Sequence, residues 1–393
     1  MNRKFVLSVL LAAGALSSRG ADPFELSSSE QDAIRAAQQG SLVRVTASTS
    51  EEPRPPAIPI RRSVLAGPRL LFSDMPEYFH DHNGLSMAEN VTAGAYRLYL
   101  YHVPGTTNSS RTVSAVIENL SPKPLTVRFA RYAFPRPGKD YAAMGVEGLI
   151  QFFTGRWVPA PVIIAPGGKS VLDPKLDATV AADPQLVHAF YEFDIDGPAR
   201  VCVLQRNTNQ SSTEVVEALP PLSRQQPGGA GRGVFPEADF AVTNAPGCVV
   251  DTANGVQRLV LSDGASDPWV LGTDALSGNM TVTNKGSYGV IYHIKLAYAS
   301  SDGRSLAILI GAHGGRRGSE ARPMAAIKIS GGVWPEGWVS LSGGGAIRRR
   351  GAAAVAQVLP PPPRGATNVL EMIYSPPGGS SLPTPIFFAP FRP

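Results

Sequence analysis

The run Phe79-His80-Asp81-His82-Asn83-Gly84 puts two imidazoles and a carboxylate on three consecutive residues. Imidazole and carboxylate are common metal ligands, so His80, Asp81 and His82 are candidates to begin a metal site, with His102 or His188 completing it. That reading makes the chain a metal-dependent enzyme. The same stretch is also ordinary turn chemistry, because Asp and Asn side chains bond their own backbone and Gly accepts positive φ.

Trp334-Pro335-Glu336-Gly337-Trp338 lies between Gly-rich stretches, and Trp269 follows a Ser-Asp turn. Exposed indoles stack on sugar faces, so these three are candidate carbohydrate platforms; the alternative is a turn between core strands with the rings buried. Cys202 and Cys248 are the two cysteines. In an exported chain an even pair invites a disulfide, worth about 3–4 kcal/mol in the chain-entropy model; the alternative is two free thiols. His313-Gly314-Gly315-Arg316 resembles part of an oxyanion loop, but the chain has no Gly-x-Ser-x-Gly elbow to use it. Nor does it carry a phosphate loop, a dinucleotide fingerprint or a His-Glu-x-x-His pair. No cofactor is expected, and the leading expectation is a protein without enzymatic activity.

Such residues need elements to position them, and those elements recur. Arg69-Leu70-Leu71-Phe72-Ser73-Asp74 returns as Arg258-Leu259-Val260-Leu261-Ser262-Asp263. In the same order, Gly94 to His102 matches Gly286 to His293, Arg111 to Ile117 matches Arg304 to Ile310, and Leu186 to Tyr191 matches Val369 to Tyr374. Such a repeat is settled before any local reading. The matched pieces are short, aromatic and β-branched, and bounded by Gly, Pro, Asn and Ser, which reads as strands and turns. Arg97 to Val103 and Thr126 to Tyr132 alternate with period two, which predicts one buried face each. The expected class is all-β: two tandem, duplicated antiparallel sandwiches over 67–218 and 234–393, joined by a Pro/Gly-rich linker at 219–233.

Residues 1–20 read as a secretory signal, with Arg3 and Lys4 before an apolar run too short to span a bilayer. Its removal takes Arg3, Lys4 and Arg19 out of a formal net charge of +5, so the basic balance says little about partners. Nothing later is long and apolar enough to span a membrane, and the short runs Arg61-Arg62, Arg316-Arg317 and Arg348-Arg349-Arg350 do not amount to a nucleic-acid module. Residues 21–66 form a leader. Within it, Ser27 to Gly40 carries helix caps at both ends, and Glu51 to Pro59 is a proline-rich spacer. The leader reads as a tether or as a segment docking on another subunit. In the first repeat, Val146, Leu149, Ile150 and Phe153 form a helical stripe with Asp140 as cap and Gly155 as stop, expected to plug one end of the first sandwich.

Arg69 to Glu77, Tyr96 to His102, Gly138-Lys139-Asp140-Tyr141 and Pro166-Gly167-Gly168 together resemble an uncharacterised secreted β-rich family of Gram-positive bacteria. Its members often stand beside copper amine oxidase-like N-terminal domains or S-layer homology domains. The likeness spans most of Arg69 to Pro393 and rests on turns, so it implies an envelope setting and brings no established activity with it. The neighbouring modules are missing from this chain, as is any Asn-Tyr pair from which amine oxidases make their quinone. The reading is a secreted structural or adhesive protein whose partner is a cell-wall or matrix polysaccharide or another envelope protein. The alternatives are a carbohydrate-binding protein using its Trp residues and the metal-dependent enzyme.

Overall fold

The computed structural model describes residues 24–46, 54–224, 229–311, 323–342, 351–380 and 382–393. The expected signal segment, His313 to Arg316 and Arg348 to Arg350 lie outside them. The described chain is mostly β, with sheets of nine, seven, five and four strands and four α-helices.

The strand Gly94–Pro104 is the spine of the nine-stranded sheet. It runs parallel to Arg69–Ser73 and antiparallel to Val187–Ile195. Its period-two pattern sends alternate residues to opposite faces, but the expectation of one buried face fails. Tyr96, Leu98 and Leu100 pack into one core, while Tyr99 and Tyr101 pack into another. The first core lies under the four-stranded sheet of Gly84–Val91, Thr112–Asn119, Lys169–Val171 and Ala199–Arg206. The second lies against the C-terminal half of the chain. The Leu125–Ala133 strand keeps its alternation more closely, with Leu125, Val127 and Phe129 buried and Arg128 exposed.

In the C-terminal half, Ile291–Ala299 runs parallel to Asp239–Asn244 and Val250–Asp251 and antiparallel to Thr367–Tyr374. Gly94–Pro104 stands in the same relation to Arg69–Ser73, Tyr78–His80 and Val187–Ile195. Two of the four sequence matches thus join strands with like neighbours, and in a third Thr112–Asn119 and Ser305–Gly311 each lie between two antiparallel partners. The match between Arg69–Asp74 and Arg258–Asp263 does not. Arg69–Ser73 is an interior strand in parallel pairing, whereas Arg258 sits in the edge strand Gln257–Leu259, antiparallel to Ile386–Phe391. Asp239–Asn244 holds the place of Arg69–Ser73.

The segment expected as a linker is tied down in its described part. Leu222 N–H donates to the Leu85 carbonyl at 2.8 Å, and Leu85 N–H donates to that of Pro220 at 2.9 Å. Strand Arg232–Phe235 pairs with Arg69–Ser73, so the nine-stranded sheet continues into the C-terminal half through Leu271–Asp274 and Met280–Thr283. The leader also docks on its own chain. Helix Ser28–Arg35 starts with the capping box of Ser27 and Glu30 and buries Ile34. Leu42–Arg44 then adds a strand to Ala352–Leu359. Ile58 in the proline-rich spacer is buried, with its N–H on the Arg258 carbonyl.

Helix Tyr141–Thr154 has the expected Asp140 cap, whose Oδ1 accepts from Ala143 N–H at 3.1 Å. Its position is different from the one expected. Rather than plugging an end, it lies between the nine-stranded sheet and the hairpin Met324–Ser330/Gly337–Ser342. Phe152 stacks on Phe190 at 3.8 Å, and Phe153 stacks on Trp338 at 4.2 Å. Two glycines allow this. A Cβ at Gly148 would come within 2.4 Å of His188, and one at Gly145 within 2.1 Å of the Gly378 carbonyl.

Candidate functional site

Because Arg97, Tyr99 and Tyr101 alternate along one strand, they share the face that meets the C-terminal half. Two clefts open along this seam.

The larger cleft, about 450 Å³, is lined by Arg97, Arg131, Glu192, Asp239, His293 and Trp338, among others. Arg97 is 1% exposed and has a partner on every side. Its Nη2 donates to Glu192 Oε1 at 2.7 Å and to Asp239 Oδ2 at 3.0 Å. Its Nη1 donates to the Ala238 and Gly289 carbonyls at 3.2 and 3.1 Å. Glu192 comes from the N-terminal half and Asp239 from the C-terminal half, so a single guanidinium bonds across the seam. Arg131 adds a 3.2 Å contact to Glu192 and lies over Phe153 at 5.6 Å. The half-buried Trp338–Phe153 stack gives this polar cleft an aromatic wall.

The smaller pocket, about 260 Å³, is lined by Asp74, Glu77, Tyr99, Tyr101, Tyr288 and Lys285 together with Gly229, Ala230, Gly378 and Gly379. Asp74 is buried; its Oδ2 accepts from Ala230 N–H at 2.6 Å, and its Oδ1 meets no hydrogen-bond partner. Burial, reinforced by the nearby Glu77 charge, pushes the Asp74 carboxyl well above the ordinary range. Burial raises Glu77 as well. Tyr101 Oη donates to the Tyr141 carbonyl at 3.1 Å, and Tyr288 Oη to that of Ser380 at 3.0 Å. Asn284 holds the turn that presents Lys285 and Tyr288, its Nδ2 donating to the Tyr288 carbonyl at 2.8 Å.

The expected metal ligands do not converge. Asp81 pairs with Arg111 at 3.2 Å, and the His80 and His82 carbonyls accept from Gln205 Nε2. His102 is fully buried. Since Pro76 offers a carbonyl, His102 Nδ1–H donates to it at 2.9 Å, leaving Nε2 to accept from Ser73 Oγ at 2.9 Å. Burial pulls this imidazole down to about 3. Ser73 and His102 form a serine–histidine pair, and both are 0% exposed. His188, held at about 4 by burial, donates Nδ1–H to the Leu100 carbonyl. Among the described residues, no group of three or more His, Cys, Asp and Glu could hold a metal ion.

The three candidate tryptophans, Trp269, Trp334 and Trp338, are half-buried and scattered. Trp334 packs against the core beneath the leader and is fixed through Gln357. Trp269 donates Nε1–H to the Ser262 carbonyl at 3.2 Å. Trp338 alone of the three reaches a cleft. The expected bridge is absent: Cys202 is a buried free thiol in strand Ala199–Arg206, and Cys248 is a free thiol in the loop after Asp239–Asn244. Burial lifts the Cys202 thiol to about 11, which makes it inert.

Sequence reasoning missed Asp74, Glu77 and the tyrosines as a site. The available signal was two acids flanking Pro76, with a strand carrying alternate tyrosines later in the same repeat. Among the described residues, no helix is long and apolar enough to cross a membrane. No protein-family model matches this chain, and no curated protein resembles it in sequence.

Proposed function

We propose that the protein is a non-enzymatic extracellular adhesive component of the cell envelope, built from two duplicated β-sandwiches, which holds a wall or matrix polysaccharide. The observation that carries this is the larger seam cleft, where the Trp338–Phe153 stack faces Arg131, Glu192, Asp239 and His293. An aromatic wall opposite charged hydrogen-bonding groups suits a sugar, whose C–H face stacks while its hydroxyls are bonded. Export is supported by the charged start and apolar run of residues 1–20, and duplication by the like strand pairings of the two halves. Fold alone does not decide function.

The test is binding of the chain lacking residues 1–20 to washed envelopes and to a glycan panel. Saturable binding is expected, roughly tenfold weaker or worse in Trp338→Ala and unchanged in Trp269→Ala, which lies outside the cleft. Equal binding by a folded Trp338→Ala would sink the cleft as the sugar site. Metal-dependent turnover abolished by His82→Ala would overturn the non-enzymatic reading.

A further inference from the structure

We propose that the smaller seam pocket is a binding site for a small organic ammonium ion, held by Asp74 and Glu77 among Tyr99, Tyr101 and Tyr288. Apart from the Tyr99 hydroxyl, which is buried without a hydrogen-bond partner, and Lys285 at the rim, the pocket's donors are spent and its free groups are acceptors. Ala230 N–H is spent on Asp74 Oδ2, and the backbone of Gly229 already bonds Glu77. The hydroxyls of Tyr101 and Tyr288 are spent on carbonyls, so what they have left is lone pairs. Asp74 Oδ1 remains buried and unpartnered in the pocket wall.

A buried carboxyl oxygen without a partner is destabilising, the more so if the group is ionised, so its persistence points to a partner that arrives from outside. Among the described residues, the basic group lining the pocket is Lys285, which is exposed at the rim and leaves the interior without a counter-ion. A neutral sugar offers neither acid a charge partner. An ammonium ion neutralises them, donates to the free oxygens and gains from the tyrosine π-systems. At about 260 Å³ the pocket is smaller than those that take drug-sized molecules, so the ligand is a simple amine or an ammonium tip.

Binding is coupled to protons. The pocket carboxyls hold their protons above the ordinary range when empty, and an incoming cation favours the ionised form. Affinity therefore rises with pH, and protons are released on binding. The groups facing Asp74 are Glu77, Tyr99, Tyr101, Tyr288 and Lys285; the phenols are raised by burial and stay neutral.

The experiment is calorimetric titration of the full chain with 1,4-diaminobutane and with tetramethylammonium, at about pH 6 and about pH 8 in buffers of differing ionisation enthalpy. Saturable binding is expected, tighter at the higher pH, with proton release, and weaker by roughly tenfold or more in Asp74→Asn. Should that variant fail to fold, Glu77→Gln at the more accessible carboxyl carries the same expectation. Heat from neither amine, undiminished binding in a folded variant, or saturable binding of glucose or calcium chloride in place of the amines would overturn the proposal. Because Trp338 is not part of this pocket, loss of polysaccharide binding in Trp338→Ala leaves this result standing.

Discussion

One strand face serves both clefts, and the two solve the burial of charge in opposite ways. At Arg97 the guanidinium is surrounded by two carboxylates and two carbonyls, so every buried charge is answered within the chain. Two and four residues further along the same face, Tyr99 and Tyr101 border a carboxyl left with an idle oxygen. A paired cluster fixes geometry; an unpaired one keeps a place open. Beside the Trp338–Phe153 wall of the first cleft, the Arg97 cluster is the joint of the molecule, whereas the second pocket holds an unanswered carboxyl oxygen in reserve.

The sharpest way to break that contrast is Arg97→Met. It takes the buried guanidinium from Asp239 and leaves Glu192 only Arg131, while keeping much of the volume, and removing one partner of a buried ion pair costs about 3–5 kcal/mol. Denaturant unfolding should show that loss, and a cost below about 1 kcal/mol would mean the joint is solvated. Next comes Gly145→Ala, which drives a methyl into the Gly378 carbonyl where the helix crosses the seam. Overpacking of this kind costs about 1–3 kcal/mol, read as a lower Tm; an unchanged Tm would show that the 378–379 turn yields freely.

The smallest effect has the opposite sign. An acid whose folded pKa is raised keeps its proton where the unfolded chain has lost it. It therefore destabilises the fold as pH climbs from the ordinary carboxylate range toward the folded value. Asp74→Asn removes that penalty, so the variant should match the parent at about pH 4 and exceed it by about 1 kcal/mol at about pH 8. Equal pH profiles would show that Asp74 is already paired.

The sequence carried the elements better than their neighbours. The Asp140 cap, the Ser27–Glu30 box and the Tyr96 to His102 strand are local chemistry and could be read directly. What lies across from each could not. The stripe of Val146, Leu149, Ile150 and Phe153 predicts one packed face, yet Met144, Gly145, Gly148 and Phe152 are buried too, because a second sheet covers the helix. Arg69-Leu70-Leu71-Phe72 and Arg258-Leu259-Val260-Leu261 share a pattern that suits an interior parallel strand as well as an edge antiparallel one. Only long-range pairing decides between them. For the same reason Asp74 showed as part of a repeat and not as a site: Tyr288 and Gly378 join it from far along the chain.

The double-sided burial of Gly94–Pro104 has a consequence in time. During synthesis the face bearing Arg97, Tyr99 and Tyr101 is made well before Asp239, Tyr288 and Gly378, which close over it. Until those residues follow, a charged guanidinium and an aromatic strip have no cover, and the waiting chain is at its stickiest. Pairings this distant in sequence also form slowly. The vulnerable moment for this protein is therefore the interval when it is half made, and whatever escorts it through that interval has to shield one particular strand.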